Sequence, residues 1–270
     1  MTRSALAILA VLCAALPVLP AQAGTVTICT AAADAVTGEM LRQEGACDTS
    51  VTSASTFKIA IALMGYDSGI LTDEHTPEWP FRAGYPDWRP SWRAATDPAR
   101  WMRESVVWYS QQITERLGEE RFARYVAAFG YGNEDVSGDP GKANGLTRAW
   151  LSSSLKISPL GQLAFLGKVV RRELPVSARA HDMTQRLVDI GETPGGWHVY
   201  GKTGAGLPRR KDGTLKRGHA YGWFVGWAVR DGRTVVFARL IQDSERQSVP
   251  PGFRARDSVL AELFSGPGAL

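Results

Sequence analysis

The chain is poor in the residues that build metal centres: of 270 residues, four are histidine and three are cysteine. His75, His181, His198 and His219 stand apart, with no His-Glu-x-x-His pair and no cysteines at ligand spacing, which excludes a metal-centred hydrolase as the reading. A G-x-S-x-G nucleophile elbow and a glycine-rich phosphate loop are also missing, which removes α/β-hydrolase and nucleotide-binding readings. Beyond residue 23 no apolar run reaches the roughly 18 residues needed to cross a bilayer, and there are no internal repeats. Neither sign of charge dominates. The formal net charge is +4, and the basic residues are dispersed apart from "RRKDGTLKRGH" at 209–219. No nucleic-acid motif accompanies that run, so it reads as a solvated loop.

What is present fits an ordinary globular chain: 44% hydrophobic and 21% charged residues, enough for a sizeable core in one or two domains. Residues 1–23 read as a cleavable signal peptide, because Arg3 precedes the run "ALAILAVLCAALPVLP", which ends at Ala21-Gln22-Ala23. A lipoprotein anchor at Cys13 competes, but a leucine precedes that cysteine where a small residue is wanted, and the apolar run continues past it. The mature protein is expected over 24–270, exported to the periplasm and soluble, with no membrane or nucleic-acid partner, as a monomer or a homodimer. Removing the leader leaves Cys29 and Cys47. In an oxidising compartment they are either a disulfide or two buried thiols.

The first expected element is a hairpin over 24–45, turning at Val36-Thr37-Gly38. A helix is expected from about Ser55, with Ile59, Ala62 and Leu63 on one face, fading between Tyr66 and Gly69. Residues 72–97 lack a period and read as a long loop. Asp97-Pro98 opens a helix expected to run unbroken to Leu117, Gly118 stops it, and a second helix spans 119–129. Residues 134–149 read as loop. Further helices are expected from Ser158-Pro159 and over 178–190. Strands follow from 197, with Asp231-Gly232 marking a hairpin, and a last helix spans 254–265. Strands at both ends with helices between them give an α+β plan: an antiparallel sheet built from the two termini, with a mainly helical insertion at about 66–157.

The chemistry concentrates in "STFK". Ser55 and Lys58 are three residues apart on a helix and so share a face. A hydroxyl is a weak nucleophile until a base takes its proton, and an ammonium cannot take one. Burial against Phe57, Ile59 and Ala62 would disfavour the ammonium and leave an amine able to act. The bland alternative is an N-cap serine followed by a lysine that reaches out to water. Spacing cannot decide between them, because S-x-x-K arises by chance about once in 200 to 300 residues. Ser153 and Lys156 have the same spacing in a loop context. Downstream, Lys202-Thr203-Gly204 falls on an expected strand, where a lysine and a threonine hydroxyl can hold a carboxylate and the glycine admits a close approach.

S-x-x-K followed far downstream by K-T-G is the signature shared by serine β-lactamases and penicillin-binding proteins. Here Ser105-Val106-Val107, Tyr131-Gly132-Asn133, Trp150-Leu151 and "GWFVGW" at 222–227 complete a pattern that resembles the class D β-lactamases over essentially the whole mature chain. The resemblance implies β-lactam hydrolysis through a Ser55 acyl-enzyme, conferring antibiotic resistance. It implies Lys58 carboxylated by CO2 or bicarbonate as general base, with no metal or other cofactor. Trp150 would donate its indole N–H to the carbamate, and Ser105 would pass a proton to the lactam nitrogen. Val107 and Leu151 would shield the carbamate, and the backbone N–H groups of Ser55 and Ala205 would hold the oxyanion. Lys202, Thr203 and a C-terminal arginine, Arg254 or in its place Arg256, would hold the substrate carboxylate. The same motif set occurs in β-lactam sensor domains that are acylated without turnover and in peptidoglycan D,D-peptidases, so these readings stay open.

Overall fold

The structure, a computed structural model, describes residues 24–265 and 269–270. The signal peptide expected over 1–23 lies outside the described residues. The N-terminal hairpin forms as strands β1 (Thr25–Asp34) and β2 (Met40–Gly45), with Gly38 at φ 76°, a value glycine takes without steric cost. Strands β6 (His198–Gly206), β7 (Tyr221–Arg230) and β8 (Arg233–Asp243) arise from the C-terminal half. Asp231 and Gly232 both have positive φ in the two-residue turn between β7 and β8, which matches the twist of a hairpin. With β5 (Asp189–Glu192) these strands make one open antiparallel sheet in the order β2-β1-β8-β7-β6-β5, in which the N-terminal hairpin joins the C-terminal strands through β1 pairing with β8.

Alternation along the central strands sorts two cores. Trp223, Val225 and Trp227 of β7 and Val236, Ala238 and Leu240 of β8 face the larger core. Phe224, Ala228, Val235, Phe237 and Ile241 face the other, which helix α8 (Pro251–Phe264) covers with Ala255, Val259, Leu263 and Phe264. Because helices cover both faces, β7 and β8 read as near-continuous apolar runs.

The larger core carries α1 (Lys58–Asp67), α2 (Pro98–Glu104), α3 (Val107–Leu117), α4 (Glu119–Phe129), α5 (Gly145–Arg148), α6 (Pro159–Val170) and α7 (Ala178–Leu187). Several ends follow sequence signals. Asp97, Ser158 and Ser177 each accept a backbone N–H three residues on, and Pro98 and Pro159 open their helices. Cys29 and Cys47 are joined by a disulfide, tying β1 to the segment after β2.

Five expectations change. The helix expected over 98–117 is two helices, because Ser105 takes the left-handed conformation (φ 58°, ψ 38°) and ends α2. The helix expected to run to residue 190 stops at Leu187, and 189–192 becomes edge strand β5 against β6. Short strands β3 (Val51–Thr52) and β4 (Lys156–Ile157) pair, and neither is long enough to show a period. The loop expected over 134–149 contains α5, and the last helix begins at Pro251, before the expected 254.

Candidate active site

Ser55 lies in a 3-10 turn, Ala54–Phe57, that leads straight into α1. The turn is held from several sides. The Ala54 N–H donates to the Trp150 carbonyl (3.0 Å), the Thr56 hydroxyl donates to the Ser53 carbonyl (2.7 Å), and the Gln162 amide donates to the Thr56 hydroxyl (3.1 Å). The Trp223 indole donates to the Thr52 carbonyl (3.1 Å). Gly204 of β6 lets this turn pack on the sheet: a Cβ there would sit 3.0 Å from the Ser53 carbonyl oxygen and from a Thr56 methyl. The glycine of Lys202-Thr203-Gly204 therefore also serves the fit of the turn on the sheet.

Lys58 is fully buried at the head of α1, with its Nζ 3.5 Å from Ser55 Oγ. Burial, then the charges of Lys202 and Arg89, push the amine well below its ordinary pKa, so the neutral form is favoured. The Trp150 ring packs beside Phe57 at 5.6 Å between centroids, and its indole N–H is buried without an acceptor among the described residues. A buried donor left unpaired is costly and calls for an explanation.

Ser105 reaches the site because of the left-handed break that splits the expected helix. Its Oγ accepts from Lys202 Nζ at 3.2 Å, and Lys202 also donates to the Thr203 carbonyl. Ala54 and Ser152, neighbours of Ser55 and Leu151, share this conformation at φ 50° and 55°. Three of the seven left-handed non-glycine residues among those described thus flank one cavity, where the surrounding structure holds them in place.

A cavity of about 230 Å³ opens over these groups. Ser55, Ser105, Val107, Leu151, Lys202 and Thr203 line it, as do Gly204 and Ala205, so the structure brings these expected residues together. Arg254 is elsewhere. Its guanidinium binds both oxygens of Asp243 at 2.7 Å and the Thr25 hydroxyl at 2.6 Å, and its Nε donates to the Val249 carbonyl. Arg256 lies closer to the site: it lines an adjoining cavity that shares Lys202 and Thr203 with the first, and its guanidinium pairs with Asp257 at 2.8 Å. Sequence reasoning missed Arg89, Arg103, Trp88 and Trp92 in the cavity wall. The first, third and fourth come from the loop 72–97, which has no period to read.

Ser153 and Lys156 do not form a second site. The Ser153 hydroxyl donates to Asp139 at 2.7 Å, and Lys156 is exposed on β4. Tyr131-Gly132-Asn133 secures that strand: the Asn133 side chain accepts the Lys156 N–H and donates to the Ser154 carbonyl, while buried Tyr131 packs edge-on to Phe57.

The penicillin-binding protein transpeptidase domain family matches residues 21–264. Beta-lactamase OXA-9 of Klebsiella pneumoniae is 47% identical over 239 residues, covering 87% of this chain and 86% of that protein. The chain belongs to the class D β-lactamase family. Beta-lactamase OXA-1 of Escherichia coli is 35% identical over 80% of this chain and 76% of its own length. The crystal structure of OXA-427, a class D β-lactamase, superposes with a TM-score of 0.82 at 47% identity, covering 87% of this chain and 96% of that one. In this class D chain the antiparallel sheet flanked by helices is thus the family's α+β architecture.

Proposed function

We propose that the protein hydrolyses the amide bond of β-lactam antibiotics through an acyl-enzyme on Ser55, with Lys58 carboxylated on its side-chain nitrogen, and thereby confers resistance. The observation that carries this is a fully buried lysine in contact with a cavity-lining serine. A neutral amine adds CO2 to form a carbamate and releases a proton, and burial favours the neutral amine. The positive charges of Lys202 and Arg89, which oppose an ammonium at Lys58, favour an anion there. The unpaired indole N–H of Trp150 is a donor suited to an anionic oxygen. When carboxylated, Lys58 supplies the base that takes the Ser55 proton and later one from water.

Ser55 Oγ attacks the lactam carbonyl carbon, and the backbone N–H groups of Ser55 and Ala205 hold the oxyanion. The carbon–nitrogen bond breaks, and Ser105, bonded to Lys202, passes a proton to the leaving nitrogen. Water then cleaves the ester and restores the Ser55 hydroxyl. Lys202 and Thr203 hold the substrate carboxylate, and Val107 and Leu151 keep bulk water from Lys58. We further propose export to the periplasm by cleavage of the signal peptide 1–23, leaving one domain over 24–270 with its helical part at about 66–157.

The test is hydrolysis of a chromogenic cephalosporin in CO2-depleted buffer and with bicarbonate restored. Turnover that rises with bicarbonate is expected. A single acylation without turnover in both buffers would make the protein a sensor instead.

A further inference from the structure

The basic run at 209–219, expected as a solvated loop, folds back on itself between β6 and β7: Arg209 and Leu215 form a bridge, and the Lys216 N–H donates to the Pro208 carbonyl (2.8 Å). Its first arginine is tied to another segment. Arg209 donates from one terminal nitrogen to half-buried Asp139 (2.6 Å), from the other to the Gly213 carbonyl (2.7 Å), and from Nε to the Ser152 carbonyl. Asp139 gathers further donors: the Ser153 hydroxyl (2.7 Å) and the Asn144 amide (3.2 Å), with Arg148 at 3.8 Å. Ser152, the left-handed residue after Leu151, has every polar group engaged at this junction. Its N–H donates to the Thr52 hydroxyl oxygen (3.2 Å), its hydroxyl accepts the Leu207 N–H (3.3 Å), and its carbonyl accepts Arg209. Immediately before it stand Leu151, which lines the cavity, and fully buried Trp150, whose carbonyl accepts the Ala54 N–H and whose indole N–H has no acceptor among the described residues.

From this junction we infer that Asp139 and Arg209 are a positioning pair for the base: they fix Ser152, and through it the Trp150-Leu151 wall, and so set how tightly Lys58 holds CO2. The inference rests on the carboxylation reading above. Loss of CO2 from a lysine carbamate takes up a proton and returns the free amine, so a donor to the carbamate oxygens and a wall against water both oppose it. A left-handed residue other than glycine persists only where its surroundings over-determine it. Without Arg209 the Ser152 carbonyl loses this donor and Asp139 loses a cation, which frees the backbone that carries Trp150 and Leu151.

Carbamate occupancy is read by carbon-13 NMR with labelled bicarbonate, and turnover of a chromogenic cephalosporin is titrated against bicarbonate, in wild type, Arg209→Ala, Asp139→Asn and Arg210→Ala. In Arg209→Ala the half-saturating bicarbonate should rise by about threefold or more, as for a residue acting through a hydrogen-bonded network. KM should change little, and kcat should recover at saturating bicarbonate. Asp139→Asn, of the same shape, should shift the same way, and it carries the test if Arg209→Ala does not fold. The Arg210 side chain bonds within its own loop, to Thr214 and the Leu215 carbonyl, so Arg210→Ala should keep the wild-type half-saturation. Unchanged half-saturation in Arg209→Ala and Asp139→Asn, a loss of kcat that bicarbonate does not restore, or an equal shift in Arg210→Ala would overturn the inference and leave the carboxylation reading standing. A wild-type protein with no carbamate would overturn both.

Discussion

Replacing Arg254 by alanine should act on stability. Its side chain is 13% exposed and that of Asp243 is 3% exposed, so the pair is shielded from solvent. Removing the guanidinium leaves the Asp243 carboxylate buried with the Thr25 hydroxyl at 2.9 Å as its remaining side-chain donor, and it frees the Val249 carbonyl. Deleting one member of a buried pair costs about 3–5 kcal/mol, and partial exposure of Arg254 argues for the lower end, about 3 kcal/mol. For a chain of this size that corresponds to a fall of roughly 6–12 °C in melting temperature. Thermal unfolding followed by circular dichroism, with KM measured on the same preparations, reads both effects. Asp243→Asn and the double variant complete a cycle that should show coupling, because the two residues touch. A melting temperature within about 1 °C of wild type together with a large rise in KM would refute the assignment and return Arg254 to the substrate site.

Three further outcomes are expected. Lys58→Met should raise the melting temperature at pH 7 in bicarbonate-free buffer. Between the lowered folded pKa and the ordinary 10.5 the unfolded chain holds a proton that the folded protein does not, so Lys58 costs stability that returns as pH rises. The gain should therefore shrink towards pH 10.5, and a gain independent of pH would contradict the neutral amine. Lys202 is pushed down to about 7 by burial, then by Arg89 and Arg256. Its ammonium is lost as pH rises through that value, so KM for a penicillin should climb above pH 7, and Arg89→Ala should move the inflection upward. Replacing Cys29 and Cys47 by serine opens a loop of 18 residues in sequence separation and should cost about 3 kcal/mol by loop entropy, read as a lower denaturant midpoint.

The strands and the nucleophile helix were legible because period and turn chemistry agree there. "YGWFVGWAVR", Asp231-Gly232 and "RTVVFARLIQ" allow only a hairpin, and "FKIAIALM" begins a buried helix whose lysine is out of place unless it works. Ser105 was placed at the site through family resemblance, while the local pattern hid the break that brings it there. Helix propensity on both sides of Ser105 continues smoothly, and tertiary packing imposes a left-handed residue where the sequence offers no glycine. Arg254 shows the opposite limit. Sequence position suggested a role, but an arginine's reach allows it to bind Asp243 on the neighbouring strand, and only three-dimensional placement separates it from Arg256 and Arg89.

The central claim is that burial makes Lys58 a neutral amine that takes up CO2 and becomes the base for Ser55. Its most direct test is carbon-13 NMR of the protein equilibrated with labelled bicarbonate. The account predicts a carbamate resonance that is present in wild type, absent in Lys58→Ala, and proportional in intensity to turnover as bicarbonate is varied. A fully active enzyme with no label on Lys58 would contradict it.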